Sequence, residues 1–166
     1  MLKKFEKKYS YTTIVTIPHQ KNKQIISSTL IRKNIVRGKV DNVQRLLGRP
    51  WSIYGKVVNG QKRGRKIGFP TCNIKWSSYA LPRLGVYAVK IETKNFRKRG
   101  IANVGYRPTF NGKILLLEVN IFGINRNLYN KTLKISFIKF IRPEKKFKNI
   151  NELKNQIKQD IIIAKK

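Results

Sequence analysis

Apolar and polar positions follow two rhythms along this chain, and the change falls near Trp51. Before it, Thr29-Leu30-Ile31-Arg32-Lys33-Asn34-Ile35-Val36-Arg37 spaces its apolar residues as one helix face, and Gly38 follows as a C-terminal cap. A second short helix is predicted over Asn42 to Leu47, with Asp41 as its N-cap and Gly48 as its stop. Ahead of both, Tyr11-Thr12-Thr13-Ile14-Val15-Thr16-Ile17 is rich in β-branched residues and ends at Pro18, so it reads as a short strand. After Trp51, strands are predicted at Ile53 to Val58, Val86 to Glu92, Gly100 to Val104, Ile114 to Phe122 and Leu133 to Phe140, separated by loops containing Gly, Pro or Asn. Several strands without long helices between them point to an antiparallel barrel or sandwich. Asn151 to Ala164 returns to helical spacing through Leu153, Ile157 and Ile161, and Asn149 with Glu152 forms a capping-box pattern ahead of it.

Composition narrows what this pattern builds. The 166 residues suit a single domain, or one domain with an appendage, and 40% hydrophobic residues exclude a disordered basic tail. The 38 Lys and Arg against 7 Asp and Glu give a formal charge of +31, which invites a nucleic-acid reading through counterion release. The lysines are spread along the whole chain among abundant Ile and Asn, the bias of an AT-rich coding sequence, so no specific nucleic-acid partner is expected. The rival reading is a basic β-barrel that binds RNA, with Tyr54, Phe69, Tyr87 and Tyr106 as stacking residues. No apolar run approaches the ~20 residues that span a bilayer, and the start lacks a secretory signal, so a cytoplasmic location without membrane partners is expected. One cysteine, Cys72, and one histidine, His19, exclude a disulfide framework, paired-cysteine zinc sites, histidine metal cages and most triads.

Catalysis must therefore use other groups, and three places offer them. In Gly60-Gln61-Lys62-Arg63-Gly64-Arg65-Lys66-Ile67-Gly68 the glycines let backbone amides approach an anion while the cations supply charge. It is not a Walker loop, because Gly55 to Gly60 continues with Gln61 where lysine is required and does not enter a helix; a simple basic turn is the alternative to phosphate binding. In Gly68-Phe69-Pro70-Thr71-Cys72-Asn73-Ile74, Thr71 and Asn73 point to one side of an extended segment, where a hydroxyl and an amide oxygen make a partial Mg²⁺ site or an ordinary turn. Glu118 stands inside Ile114-Leu115-Leu116-Leu117-Glu118-Val119-Asn120-Ile121-Phe122, sharing a face with Leu116, Asn120 and Phe122. A carboxylate there is either paired with one of many cations or held in a cleft to accept protons.

These pieces come in a recognisable order: Leu46-Leu47-Gly48-Arg49-Pro50, Gly55-Lys56-Val57-Val58, Gly68 to Ile74, Gly85-Val86-Tyr87, Gly105-Tyr106-Arg107-Pro108-Thr109-Phe110, Leu117-Glu118-Val119, Leu128-Tyr129, and Arg142 with Glu144, Lys146 and Phe147. Together they resemble the riboflavin kinase module of bacterial bifunctional FAD synthetases. The resemblance implies a mainly β fold, a six-stranded antiparallel Greek-key barrel with a C-terminal helix and a short α/β N-terminal stub. It implies transfer of the γ-phosphate of ATP to the terminal ribityl hydroxyl of riboflavin, giving FMN and ADP with Mg²⁺ as cofactor. Carried over by position, Glu118 matches the general base, and Thr71 and Asn73 match the Mg²⁺ and phosphate ligands. Gly60, Gly64, Arg65, Gly68 and Pro70 fall in the nucleotide loop, and Arg107, Pro108 and Thr109 in the flavin loop.

Three positions depart from the family pattern: Cys72 replaces the usual alanine, Asn130 a turn glycine, and Gly123 an aspartate. The last motivates a third reading, an inactive flavin-binding remnant. Ile26-Ser27-Ser28-Thr29-Leu30-Ile31-Arg32 resembles the end of the adenylyltransferase module that precedes the kinase in two-module enzymes, so residues 1–38 are expected to be its remnant and 39–166 the kinase domain. The His-x-Gly-His motif of nucleotidyl transfer is absent from these residues, which implies no FMN adenylyltransferase activity here and a separate FMN adenylyltransferase as partner.

Overall fold

A strand carries unpaired N–H and C=O groups along both edges, so alternating apolar strands must find neighbours on each side or close into a ring. Here they close. The computed structural model describes residues 2–21, 24–61, 63–76, 79–109, 112–124 and 126–166, with the side chains of 21, 63, 107–109 and 112–113 outside that description. A 3₁₀ turn (Leu2–Phe5) and α1 (Glu6–Tyr9) lead to a two-residue-per-arm hairpin, β1 (Gln20–Lys21) and β2 (Gln24–Ile25). Then come α2 (Ser28–Val36), α3 (Val40–Leu47), β3 (Trp51–Val58), the single turn α4 (Arg63–Lys66) and β4 (Cys72–Ile74). β5 (Gly85–Glu92), β6 (Arg97–Thr109), β7 (Gly112–Ile121), β8 (Thr132–Arg142) and α5 (Ile150–Lys165) complete the chain.

Strands β3 to β8 form a closed barrel in the order β3-β4-β7-β6-β5-β8, every pair antiparallel. β5, β6 and β7 follow one another as neighbours and β8 returns beside β5, which is a Greek key. The interior is filled by alternate residues of all six strands, among them Ile53, Val57, Ile74, Tyr87, Val104, Leu117, Val119, Leu133 and Phe137. Ile35, Val40 and Val43 of the two short helices join the same core beside Trp51. A second, outer cluster forms where α5 lays Ile157, Ile161 and Ala164 over Val86, Ala88 and Ile101.

The predicted strands and helices from Ser28 onward are present, most of them longer by a residue or more, and Gly38 and Gly48 sit at φ +74 and +70 as helix stops. Tyr11 to Ile17 is not a strand: the segment is irregular, with Ile17 89% exposed, because the closed barrel leaves no edge for it to pair with. Asp41 is not an N-cap either. α3 starts two residues earlier because Val40 is drawn fully into the core, so Lys39 takes the cap position and Asp41 pairs with Arg45 at 3.3 Å within the first turn. At α5, Asn149 Oδ1 accepts the Glu152 N–H at 2.9 Å as expected, while the Glu152 carboxylate accepts from Lys148 N–H at 3.2 Å. Asn130 adopts the left-handed conformation its turn requires, φ 64, and Gly123 sits at φ 67 in a turn after β7 with nothing near its open side.

Candidate active site

Asn73, Glu118 and Asn103 occupy one cross-strand row, since β4 registers Asn73 against Glu118 and β6 registers Asn103 against Glu118. Leu117 and Val119 point into the barrel core, so by strand alternation this row faces outward. The outer face here is enclosed. The segment from Gly60 to Thr71 rises on one side, α5 and the turn before it on the other, and between them lies a cavity of about 1080 Å³ with the row on its floor. Glu118 is half-buried and Asn73 is only 8% exposed.

The loop wall is built by close approaches that only glycine allows. A Cβ at Gly60 would run into the Asn73 side-chain amide, 2.7 Å from its Cγ, so Gly60 holds that amide in place by lying directly against it. At Gly64 a Cβ would meet the Phe69 carbonyl and stand 3.1 Å from Thr71 Oγ1. Phe69 N–H donates to Gly64 C=O at 2.8 Å, folding the basic loop back on itself. Asn120, two residues along the Glu118 face, donates its amide to Pro70 C=O at 2.7 Å and latches the loop to β7. Arg65, Lys66 and Pro70 line the cavity with the glycines.

The structure thus brings Gly60, Gly64, Arg65, Pro70, Thr71, Asn73 and Glu118 to one cavity. Gly68 lies outside it, on a shallow neighbouring recess at φ +89, where it turns the chain. Arg107, Pro108 and Thr109 end β6, with their side chains, like all of Phe110, outside the described residues. The extended reading holds from Cys72 onward, because Cys72–Ile74 is a strand inserted between β3 and β7, and Thr71 immediately precedes it. The basic loop contains one helical turn, α4, which the turn reading missed. Sequence reasoning also missed Asn103, visible only through register, and Asp160, which lies on α5 at the cavity's far wall. Cys72 Sγ donates to Val119 C=O at 3.4 Å, and burial pushes its thiol up to about 11. Tyr87 is fully buried in the barrel, its ring edge on Phe137, and burial pushes its phenol up; it cannot stack on a base as the RNA reading requires.

Asn73 Oδ1 is buried without a hydrogen-bond partner among the described residues. Leaving such a carbonyl unsatisfied costs about 1–3 kcal/mol, so the site is built for something that engages it. Thr71, two residues earlier and exposed to the cavity, adds a hydroxyl. Among the described residues no three His, Cys, Asp or Glu gather. Hydroxyl and amide oxygens beside a phosphate-sized basic loop are hard donors, and they fit Mg²⁺ with the rest of its shell left to phosphates and water.

Fold and site together are a closed Greek-key barrel whose outer face carries a carboxylate, hard oxygen donors and a glycine-rich basic loop. Residues 47–166 match the Flavokinase family, described as riboflavin kinase. The chain belongs to the riboflavin kinase family. It is 43% identical over 143 residues to the bifunctional riboflavin kinase/FMN adenylyltransferase of Haemophilus influenzae, covering 86% of this chain and 46% of that protein. The protein of the same description from Buchnera aphidicola subsp. Acyrthosiphon pisum is 44% identical over 169 residues, covering 100% of this chain and 54% of its own length. The chain therefore spans about half the length of the curated relatives it matches. Among solved structures, a Streptococcus pneumoniae protein described as a macrolide-efflux protein superposes with TM-score 0.87 at 35% identity, over 98% of this chain and 54% of that one. Riboflavin kinase from Trypanosoma brucei shares the fold, with TM-score 0.51 at 20% identity over 70% of this chain and 78% of its own. No helix among the described residues is long and apolar enough to cross a membrane.

Proposed function

We propose that this chain phosphorylates riboflavin at the ribityl 5′-hydroxyl with ATP, yielding FMN and ADP. The observation that carries the reading is the unsatisfied Asn73 oxygen registered directly against Glu118, on the floor of a cavity large enough for a nucleotide and a flavin. Phosphoryl transfer depends mainly on positioning and charge neutralisation, with one carboxylate to orient the nucleophile. Glu118 takes the proton of the 5′-hydroxyl as its oxygen bonds to the γ-phosphorus, and the bond from that phosphorus to the β,γ-bridging oxygen breaks to release ADP. Thr71 and Asn73 would hold Mg²⁺, which would supply charge neutralisation at the phosphate oxygens. Gly60, Gly64 and Pro70 shape the nucleotide wall and Arg65 faces its phosphates, while the Arg107-Pro108-Thr109 end of β6 meets the flavin. Residues 1–38 are the end of a preceding adenylyltransferase module, a reading supported by full-length matches to relatives about twice as long. This chain by itself adenylylates no FMN, since His19 is its one histidine.

Incubation with riboflavin, ATP and Mg²⁺ followed by chromatography tests the reading. FMN is the expected product. Folded protein that yields none overturns the kinase assignment, and FAD among the products overturns the absence of adenylylation.

A further inference from the structure

Asp160 is the one charged residue that is buried among those described, at 1% exposure, and the chemistry above makes no use of it. Its carboxylate takes three hydrogen bonds from Arg142: Nε lies 3.0 Å from each oxygen, and Nη2 2.8 Å from Oδ2. Gln156, one turn earlier on α5, donates to Oδ1 at 3.1 Å. Arg142 ends β8 and passes the grip onward, since Nη1 donates to Pro143 C=O at 3.0 Å and the guanidinium carbon lies 5.7 Å from the centre of the Phe147 ring. Between those two residues, Glu144 lies against Gly105 of β6, where a Cβ would stand 2.9 Å from its Cδ. Gly105 is two residues beyond Asn103, the strand partner of Glu118. A hydrogen-bonded and packed path thus leads from the terminal helix to β6, two residues from the Glu118 row.

Stability does not account for the arrangement. α5 is already held by Ile157, Ile161 and Ala164 on the outer barrel face. Apolar residues of similar volume often replace a buried ion pair at no loss of stability. What they lack is the planar fork that fixes a direction as well as a distance.

We infer that Asp160 is a positioning residue: through its fork on Arg142 it sets the turn of residues 143–147, with Glu144 and Phe147, at the spacing from the Glu118 row that the flavin requires. The inference rests on the riboflavin kinase reading. Steady-state FMN formation by the wild type, D160N and the double variant R142M/D160L, with separate KM values for riboflavin and ATP and a thermal midpoint for each, tests it. Both variants are expected to raise the riboflavin KM by roughly 10- to 100-fold, the effect of a small misplacement, with little change in the ATP KM. The double variant is expected to do so at a near-normal midpoint. Arg142→Lys, which keeps the charge and loses the fork, should show the same split. An unchanged riboflavin KM in folded variants, or loss of folding in every variant, would assign the pair to stability and overturn the inference. A wild type that neither forms FMN nor quenches riboflavin fluorescence overturns the kinase reading itself, a failure visible before any variant is made.

Discussion

Glu118 is one of 7 acidic residues, and its two roles give opposite outcomes on substitution. As the base, Glu118→Gln keeps shape and hydrogen bonding but loses the proton acceptor, so turnover should fall roughly 10²- to 10⁴-fold at an unchanged thermal midpoint. As a buried counter-ion, the same change should cost about 3–5 kcal/mol of stability while the folded fraction turns over normally. Measuring midpoint and kcat on one preparation separates the two. Cys72 makes a second test. Its thiol pKa is raised from 9.0 to about 11 in the folded chain, so the proton is held more tightly folded than unfolded. Its contribution to folding is complete below pH 9 and is lost as pH climbs toward 11. At pH 8 the folded thiolate fraction is about 100-fold smaller than in the unfolded chain, so Ellman's reagent should react correspondingly slowly until denaturant is added. Thr71, Asn73 and Glu118 were legible as candidates here, through strand spacing together with the order of motifs that carries the family resemblance. Their meeting was not: 45 residues of chain separate Asn73 from Glu118, and only pairing register closes that gap.

Elements formed where local signals and a partner surface agreed. α5 has both, with a periodic apolar face that lies on Val86, Ala88 and Ile101 and an N-cap at Asn149. Asn149→Ala should therefore lower stability by about 1 kcal/mol without touching kinetics, read as a shifted denaturant midpoint at constant slope. Tyr11 to Ile17 has the stronger strand propensity of the two N-terminal segments, yet it stays irregular while Gln20–Lys21 and Gln24–Ile25 pair. A strand is a relation between segments, and β-branched residues supply only half of it. Cys72–Ile74 is the reverse case, three residues with weak signals that become a strand because β3 and β7 leave a gap of that width.

At the scale of the molecule, the charge of +31 and the enclosed cavity invite different partners. The buried position of Tyr87 removes one of four stacking residues from the RNA reading. Tyr54 and Tyr106 stay exposed, but on the kinase reading the charge supplies only phosphate attraction, so any affinity for RNA should be indifferent to sequence and fall steeply between low and physiological salt, which filter binding across a salt series reads directly. Affinity that survives physiological salt and selects a sequence would restore the RNA-binding alternative. The buried apolar residues, meanwhile, form two clusters, the barrel interior and the strip beneath α5, and the cavity opens beside the second.

By itself the sequence determined the number and kind of most elements, the helix stops at Gly38 and Gly48, and the strand spacing of Asn73 and Glu118 with their neighbours, because these depend on periodicity and on backbone freedom at single positions. Tertiary structure alone decided that the strands close without an edge, that Asn73, Glu118 and Asn103 share a row, and that Asp160 holds Arg142 across 18 residues of chain. The physical reason is that pairing register and burial are properties of two surfaces at once. A pattern along one segment states which face it offers, and only the packed chain states what that face meets.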